Sequence, residues 1–462
     1  MPSASPLPFS ALALDSALLS NLDSLGYQFM TPIQEVSIPL MLEQRDLIAQ
    51  AKTGSGKTAA FGLGILSQIK ASYFATQGLV ICPTRELADQ VANELRRLAR
   101  AIPNIKILSL CGGNPMRPQI ASLERGAHIV VGTPGRILDH IGRASIDLST
   151  LKVLVLDEAD RMIDMGFYED MLGIVAACSP RRQTWLFSAT YANDVRQASE
   201  RFLRDPVEIK VDSNPQSLAI EQFFFEVAPE NRNTAVSTLL FHYRPASCIA
   251  FCNTKIHCDE LAAELQQKGI TALALHGDLE QRDRDEILVL FANQSCLVLV
   301  ATDVAARGID IPALGAVINV DVSRDPEVHV HRIGRCGRAG QSGLALNLIA
   351  PNEKKYLRNI EEYQAQLGLW QELSTLTVES ETLTTPMITL CIAGGKKDKL
   401  RPGDLLGALT GDVGLKKEQV GKINVFEFQT YVALDHRIAH IALEQLSRCS
   451  IKGRQFKIRE IS

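Results

Sequence analysis

No two of the ten cysteines form a CxxC pair, and the spacing of Cys248, Cys252 and Cys258 matches no common zinc pattern. Neither a disulfide scaffold nor a zinc-held module is indicated, and a reduced intracellular chain is expected. No apolar run approaches membrane-spanning length. The opening "MPSASPLPFSALALDSALL" lacks the basic stretch and uninterrupted apolar run of an export signal, so a cytoplasmic protein with no membrane partner is expected. What is present is an ordinary soluble composition, 46% hydrophobic and 22% charged over 462 residues, enough for two to four domains. The net charge of -4 is unevenly spread: from Pro386 onward 13 Lys/Arg face 8 Asp/Glu, a balance of +5 against -9 for the rest. A basic tail on an acidic body suits a polyanion partner, although a solvated basic face gives the same count.

Short apolar runs recur at helix-length intervals: "DLIAQ", "GLVICPT", "HIVVGTP", "VLVLDEAD" and "TWLFSAT", then "CIAFCNT", "TALALHG", "CLVLVATD", "AVINVD" and "LALNLIA". Such runs are strands buried on both faces of a parallel sheet. An α/β fold with two tandem lobes follows, spanning 1–210 and 219–370, with a seam at Asn214-Pro215. A Ser/Thr/Glu-rich stretch, 371–386, leads to a third domain over 386–462 with the order β-α-β-β-α-β, an α+β ferredoxin-like pattern that RNA-recognition modules share with many unrelated domains.

The chemistry starts in "DLIAQAKTGSGKTAAF", where a strand runs through a glycine-rich loop into a helix. Gly54, Ser55 and Gly56 would wrap phosphate with backbone N–H groups, Lys57 would neutralise the outer phosphates and Thr58 would ligate magnesium. Ala51 stands where the strict P-loop has its first glycine. In "VLVLDEAD", Asp157 and Glu158 leave the carboxyl end of a buried strand, where α/β sheets bind ligands. Asp157 would hold the metal and Glu158 would orient or deprotonate the attacking water. Without the glycine-rich loop upstream, this acidic pair would read as a helix N-cap region.

"AKTGSGKT" and Asp157-Glu158-Ala159-Asp160 resemble the DEAD-box family of ATP-dependent RNA helicases, whose pattern itself carries alanine at the position of Ala51. "GYQFMTPIQ", "PTRELA", Gly112-Gly113, "TPGR", "SAT", "FCNT", "QRDR", "ATDVAARGID" and "HRIGRCGR" agree with it in order and spacing over 9–340. The resemblance implies two RecA-like lobes, ATP and magnesium as cofactors, RNA rather than DNA as partner, and a monomer that unwinds locally as the lobes close. Phe9, Tyr27 and Gln34 would hold the adenine. Asp310 would touch the nucleotide from the second lobe, and Arg335 and Arg338 would act there as arginine fingers. Pro83, Thr84, Arg85, Gly113, Thr133, Gly135 and Arg136 would grip the RNA backbone, with Thr254, Arg284 and Thr302 continuing the track. "SAT" would couple the two sites, and Cys336, often Thr in the family, should matter little.

Backbone contacts do not read sequence, so target choice falls to the tail. "GGKKDKLRPGDLLGAL" followed by "VGKINVFEFQTYVAL" resembles the DbpA-type RNA-binding domain, which implies recognition of a 23S ribosomal RNA hairpin during assembly of the 50S subunit. A broad-specificity RNA chaperone and an ATP-gated RNA clamp are the alternatives. The central strands carry almost no aromatics, Tyr431 excepted, so the usual base-stacking platform is not expected. Lys396, Lys397, Lys399 and Arg401 in one loop, with Lys452, Arg454 and Lys457 near the last strand, are the expected RNA contacts.

Overall fold

The computed structural model describes residues 6–461 except 52–53, 190–192, 212–219, 307–313, 337–342, 365–366 and 379–382. The expected calls Asp310 and Arg338, and Thr190 of "SAT", lie outside the described residues. The chain forms two compact units, one before and one after the segment 212–219.

The first unit is built on seven strands: β1 (Leu47–Gln50), β2 (Gly78–Ile81), β3 (Ile107–Leu110), β4 (Ile129–Gly132), β5 (Val153–Asp157), β6 (Gln183–Ser188) and β7 (Val207–Lys210). They pair in parallel in the order β3-β4-β2-β5-β6-β1-β7. The apolar runs bury alternate residues on opposite faces: Val80, Val131, Val155 and Phe187 enter one core, Leu79, Val130, Leu154 and Leu186 the other. A strand buried on both faces can only be apolar throughout, which is why these segments read so plainly.

The second unit repeats the design with β8 (Ile220–Glu226), β9 (Cys248–Phe251), β10 (Ala272–Leu275), β11 (Val298–Ala301), β12 (Ala316–Asn319), β13 (Gly343–Ile349) and β14 (Leu369–Gln371), in the order β10-β11-β9-β12-β13-β8-β14. Its pairs are parallel. The short edge strand β14 and the packing of Leu373, Leu376 and Leu383 on the core carry this lobe past residue 370.

The tail forms a four-stranded antiparallel sheet in the order β16-β17-β15-β18, from β15 (Met387–Ile392), β16 (Val420–Val425), β17 (Thr430–Asp435) and β18 (Ile458–Ile461). Leu390, Ile392, Val432 and Leu434 face a core closed by Leu405, Leu409, Ala442 and Leu446. No helix among the described residues is long and apolar enough to cross a membrane.

Candidate nucleotide and RNA site

β1 ends at the glycine-rich loop, and the helix Lys57–Leu66 begins where the loop ends. Gly54 and Gly56 adopt φ of +82° and +93°, the left-handed region that glycine enters at no steric cost. Gly56 has a second constraint, since a Cβ there would lie 2.5 Å from Gln34 Nε2. The Gln34 amide donates to Gly56 O at 3.0 Å and accepts from the Thr31 N–H at 2.9 Å. It therefore braces the glycine-rich loop and leaves one N–H and one lone pair of the amide uncommitted to these two bonds. Phe9, only 3% exposed, meets Tyr27 edge-on at 6.0 Å, and Tyr27 donates to Glu94 at 2.8 Å.

The loop presents buried polar atoms that no described residue satisfies. Among the described residues, Lys57 Nζ and Ser55 Oγ have no hydrogen-bond partner, and Lys57 is 7% exposed. A buried ammonium that makes no hydrogen bond is costly, so the site fits an anion at a helix N-terminus. Asp157, at the end of β5, is also buried, and burial pushes its carboxyl up to about 6 while Lys57 opposes the rise. With the Thr58 hydroxyl it fits magnesium by donor chemistry: hard oxygen ligands beside a phosphate site. Glu158 stands in the left-handed region at φ +53° and heads the helix Ala159–Asp164. That conformation costs a non-glycine residue about 1 kcal/mol and turns the carboxylate off the strand axis, an outlier of the kind that concentrates at working sites.

Sheet order positions the remaining candidates. β1, β6 and β5 bring the phosphate loop, Ser188 and Asp157-Glu158 to one stretch of the carboxyl edge; Ala51 N–H donates to Ser188 O at 2.9 Å. The next strands along that edge, β2, β4 and β3, deliver Pro83-Thr84-Arg85, Thr133 to Arg136, and Gly112-Gly113. Thr84 Oγ1 caps the helix Arg85–Leu98 through the Leu87 N–H at 3.3 Å, and Thr133 heads the helix Pro134–Gly142. Gly112 passes so close to Arg85 that a Cβ would meet its guanidinium at 3.0 Å. Arg136 donates to Asn114 O at 2.8 Å and to Gln119 Oε1 at 2.9 Å, so its guanidinium holds the glycine loop in place. A phosphate would have to share that group with the loop.

The second lobe uses the same device. Thr254 caps the helix Lys255–Gln267 at the end of β9 through the His257 N–H at 3.2 Å, Thr302 follows β11, and Arg284 lies on the helix Gln281–Ala292 after β10. Sequence reasoning missed the hub of this lobe, Arg332. Its guanidinium donates to both carboxylate oxygens of Asp303 at 2.7 and 2.8 Å, to Asp321 O at 2.6 Å and to Asn253 Oδ1 at 3.1 Å. It ties the loops after β9, β11 and β12 to the helix Pro326–Ile333, directly before the half-buried Arg335. Cys336 is buried and donates to Ile333 O at 2.9 Å. Cys252, His257 and Asp321 bring three potential metal ligands within 4.8 Å of one another. The Asp321 carboxylate already accepts from Arg232 and from the Asn253 N–H, and that fixed guanidinium opposes a second cation.

In the tail, Lys396, Lys397, Lys399, Arg401, Lys452 and Arg454 are all exposed. They are not equivalent: Lys452 donates to Lys399 O at 3.0 Å and pairs with Asp404 at 3.3 Å, and Arg454 pairs with Asp398 at 3.7 Å. These two knit the loops together. The outer face of the two central strands is closed. Thr389, Cys391 and Tyr431 are 0%, 3% and 5% exposed. Thr389 Oγ1 meets Ser295 Oγ at 2.7 Å and accepts from Asn293 at 3.2 Å, while Arg459 and Tyr431 reach Glu286 at 3.3 and 3.5 Å. The second lobe thus covers the face on which an ordinary RNA-recognition motif stacks bases.

A lobe with a glycine-rich loop beside buried Lys57 and Asp157, a second lobe of the same sheet design and a basic α+β tail fit a nucleotide-driven RNA enzyme. The sequence matches the family descriptions DEAD/DEAH box helicase over residues 31–198, helicase conserved C-terminal domain over 231–340 and DbpA RNA binding domain over 389–460. The chain belongs to the DEAD-box family of ATP-dependent RNA helicases, and within it is of the DbpA type. It is 52% identical over 452 residues to the ATP-dependent RNA helicase DbpA of Escherichia coli, across 98% of this chain and 99% of that one. The ATP-dependent RNA helicase CshA of Listeria monocytogenes is 45% identical over 77% of this chain and 68% of its own. Among solved structures, S. cerevisiae Dbp5 bound to RNA and ADP BeF3 is similar with a TM-score of 0.73 at 30% identity, over 79% of this chain and 96% of that one.

Proposed function

We propose that this helicase remodels 23S ribosomal RNA during assembly of the large ribosomal subunit, as a cytoplasmic monomer directed to an RNA hairpin by its tail. The observation carrying this reading is the likeness to DbpA along the whole chain, tail included. ATP enters against Tyr27, Phe9 and Gln34, with its phosphates on the N–H groups of Gly54 to Thr58 and on the Lys57 ammonium. Magnesium would be held by Thr58 and Asp157 and would supply charge neutralisation at the phosphates. Glu158 orients the water that attacks the outer phosphate. Arg335, Arg338 and Asp310 belong to the second lobe, so hydrolysis waits for the lobes to meet, and RNA bound along Pro83 to Arg85, Gly113, Thr133 to Arg136, Thr254, Arg284 and Thr302 favours that meeting. A strand gripped by its backbone in a bent path cannot keep its complement, which releases a short duplex.

Crosslinking the intact protein in cell extract and sequencing the bound RNA tests the target. Reads concentrated on one 23S rRNA hairpin and its flanks support the reading. Reads spread over unrelated transcripts would instead make the protein a general RNA chaperone.

A further inference from the structure

With the sheet face covered, base contacts in the tail need another surface. Three large apolar side chains stand out from the tail among the described residues: Phe426 at 41% exposure, Phe428 at 63% and Ile441 at 58%. The two rings share the turn that joins β16 to β17, and that turn is welded to the basic loop 394–401. Lys396 N–H donates to Phe426 O at 2.8 Å and Lys397 N–H to Glu427 O at 3.0 Å. A Cβ on Gly395 would lie 2.4 Å from Phe426 O, so this contact itself requires glycine. Phe426 is steadied edge-on by Tyr431 at 5.6 Å, whereas Phe428 projects with Lys397 Nζ 5.0 Å above its ring. Lys397 also pairs with Glu427 at 3.2 Å. Lys396, Lys399 and Arg401 are exposed around the tip and form no ion pair among the described residues.

We propose that this turn is an RNA subsite, in which Phe428 stacks on an unpaired base and Lys396 and Lys399 hold the adjoining phosphates. The inference rests on the reading of the tail as an RNA-targeting module and adds its base-contacting residue. Exposed rings beside unpaired cations fit a nucleobase next to its phosphate, since the ring takes the base face and the ammonium groups take the charge. A hydrophobic protein partner would leave those ammonium groups desolvated.

The test measures full-length protein binding to a hairpin RNA with an unpaired loop and to an all-duplex RNA of equal length, over a range of salt. Phe428→Ala should weaken loop binding about five- to a hundredfold with an unchanged salt slope, and Phe428→Tyr should restore it. Lys396→Ala should weaken both RNAs and lower the salt slope by about one. Wild-type loop affinity for Phe428→Ala beside a weakened Lys396→Ala would overturn the stacking subsite while leaving tail targeting intact. Equal weakening on loop and duplex by Phe428→Ala would overturn it as well. Unchanged binding by every tail variant would remove the targeting reading itself, and this inference with it.

Discussion

Among the described residues the buried Lys57 ammonium of the first lobe makes no hydrogen bond, and it opposes the rise that burial imposes on the carboxyl of Asp157. Ionised Asp157 costs folding on the order of 2–3 kcal/mol at neutral pH, because burial lifts its carboxyl from the ordinary range to about 6. The sign follows: this cost is relieved as pH falls through about 6, while the carboxylate a metal needs is lost over the same interval. Magnesium-dependent nucleotide affinity should therefore be level above pH 7 and drop about tenfold per unit below 6, with Asp157→Asn raising Tm while abolishing the metal dependence. A fluorescent nucleotide titrated at pH 5 to 8 checks this, and a flat profile would remove Asp157 from the metal site. Glu158→Gln keeps the local shape and removes the basic oxygen. It should bind ATP and RNA normally and turn over about a hundredfold slower or worse, as rapid-quench assays would show. The convergence of the glycine-rich loop and of Asp157-Glu158 on one sheet edge could be read from the sequence because each follows directly on an apolar strand run. Arg332 could not be read in this way, because its partners Asn253, Asp303 and Asp321 come from three separate strand ends.

Among the elements, the recurring device is a helix whose first turn follows a buried parallel strand, with a threonine at its head, as at Thr84 and Thr254. The strands could be read directly from the sequence, since burial on both faces leaves only apolar residues. The tail sheet was different. Thr389, Cys391 and Tyr431 alternate with core residues in the pattern of a solvent-facing or ligand-facing surface, and nothing local records that a helix of the second lobe and the turn after it cover them. Thr389→Val would strip the Ser295 hydroxyl and Asn293 amide of their shared partner. With about 1–3 kcal/mol for each buried group left unpaired, the urea midpoint of the full chain's C-terminal unit should fall measurably. A midpoint equal to that of the parent would mean that the sheet face is not held against the lobe in solution.

At the scale of the whole molecule, the residues proposed to hold the nucleotide, Gly54 to Thr58 and Asp157-Glu158, belong to one compact unit, while Arg335 and the basic tail belong to the other. On the proposed reading, an enzyme divided in this way would make hydrolysis conditional, and the tail would decide which RNA supplies the condition. The division into lobes and tail was visible in the sequence as two series of apolar runs and a change of charge sign near Pro386. The most direct test is the steady-state ATPase rate of the full chain against increasing concentrations of a 23S rRNA fragment containing the hairpin, beside a scrambled RNA of equal length. The account predicts steep stimulation by the hairpin RNA at concentrations where the scrambled RNA does little. Equal stimulation by both, or a high rate without any RNA, would contradict it.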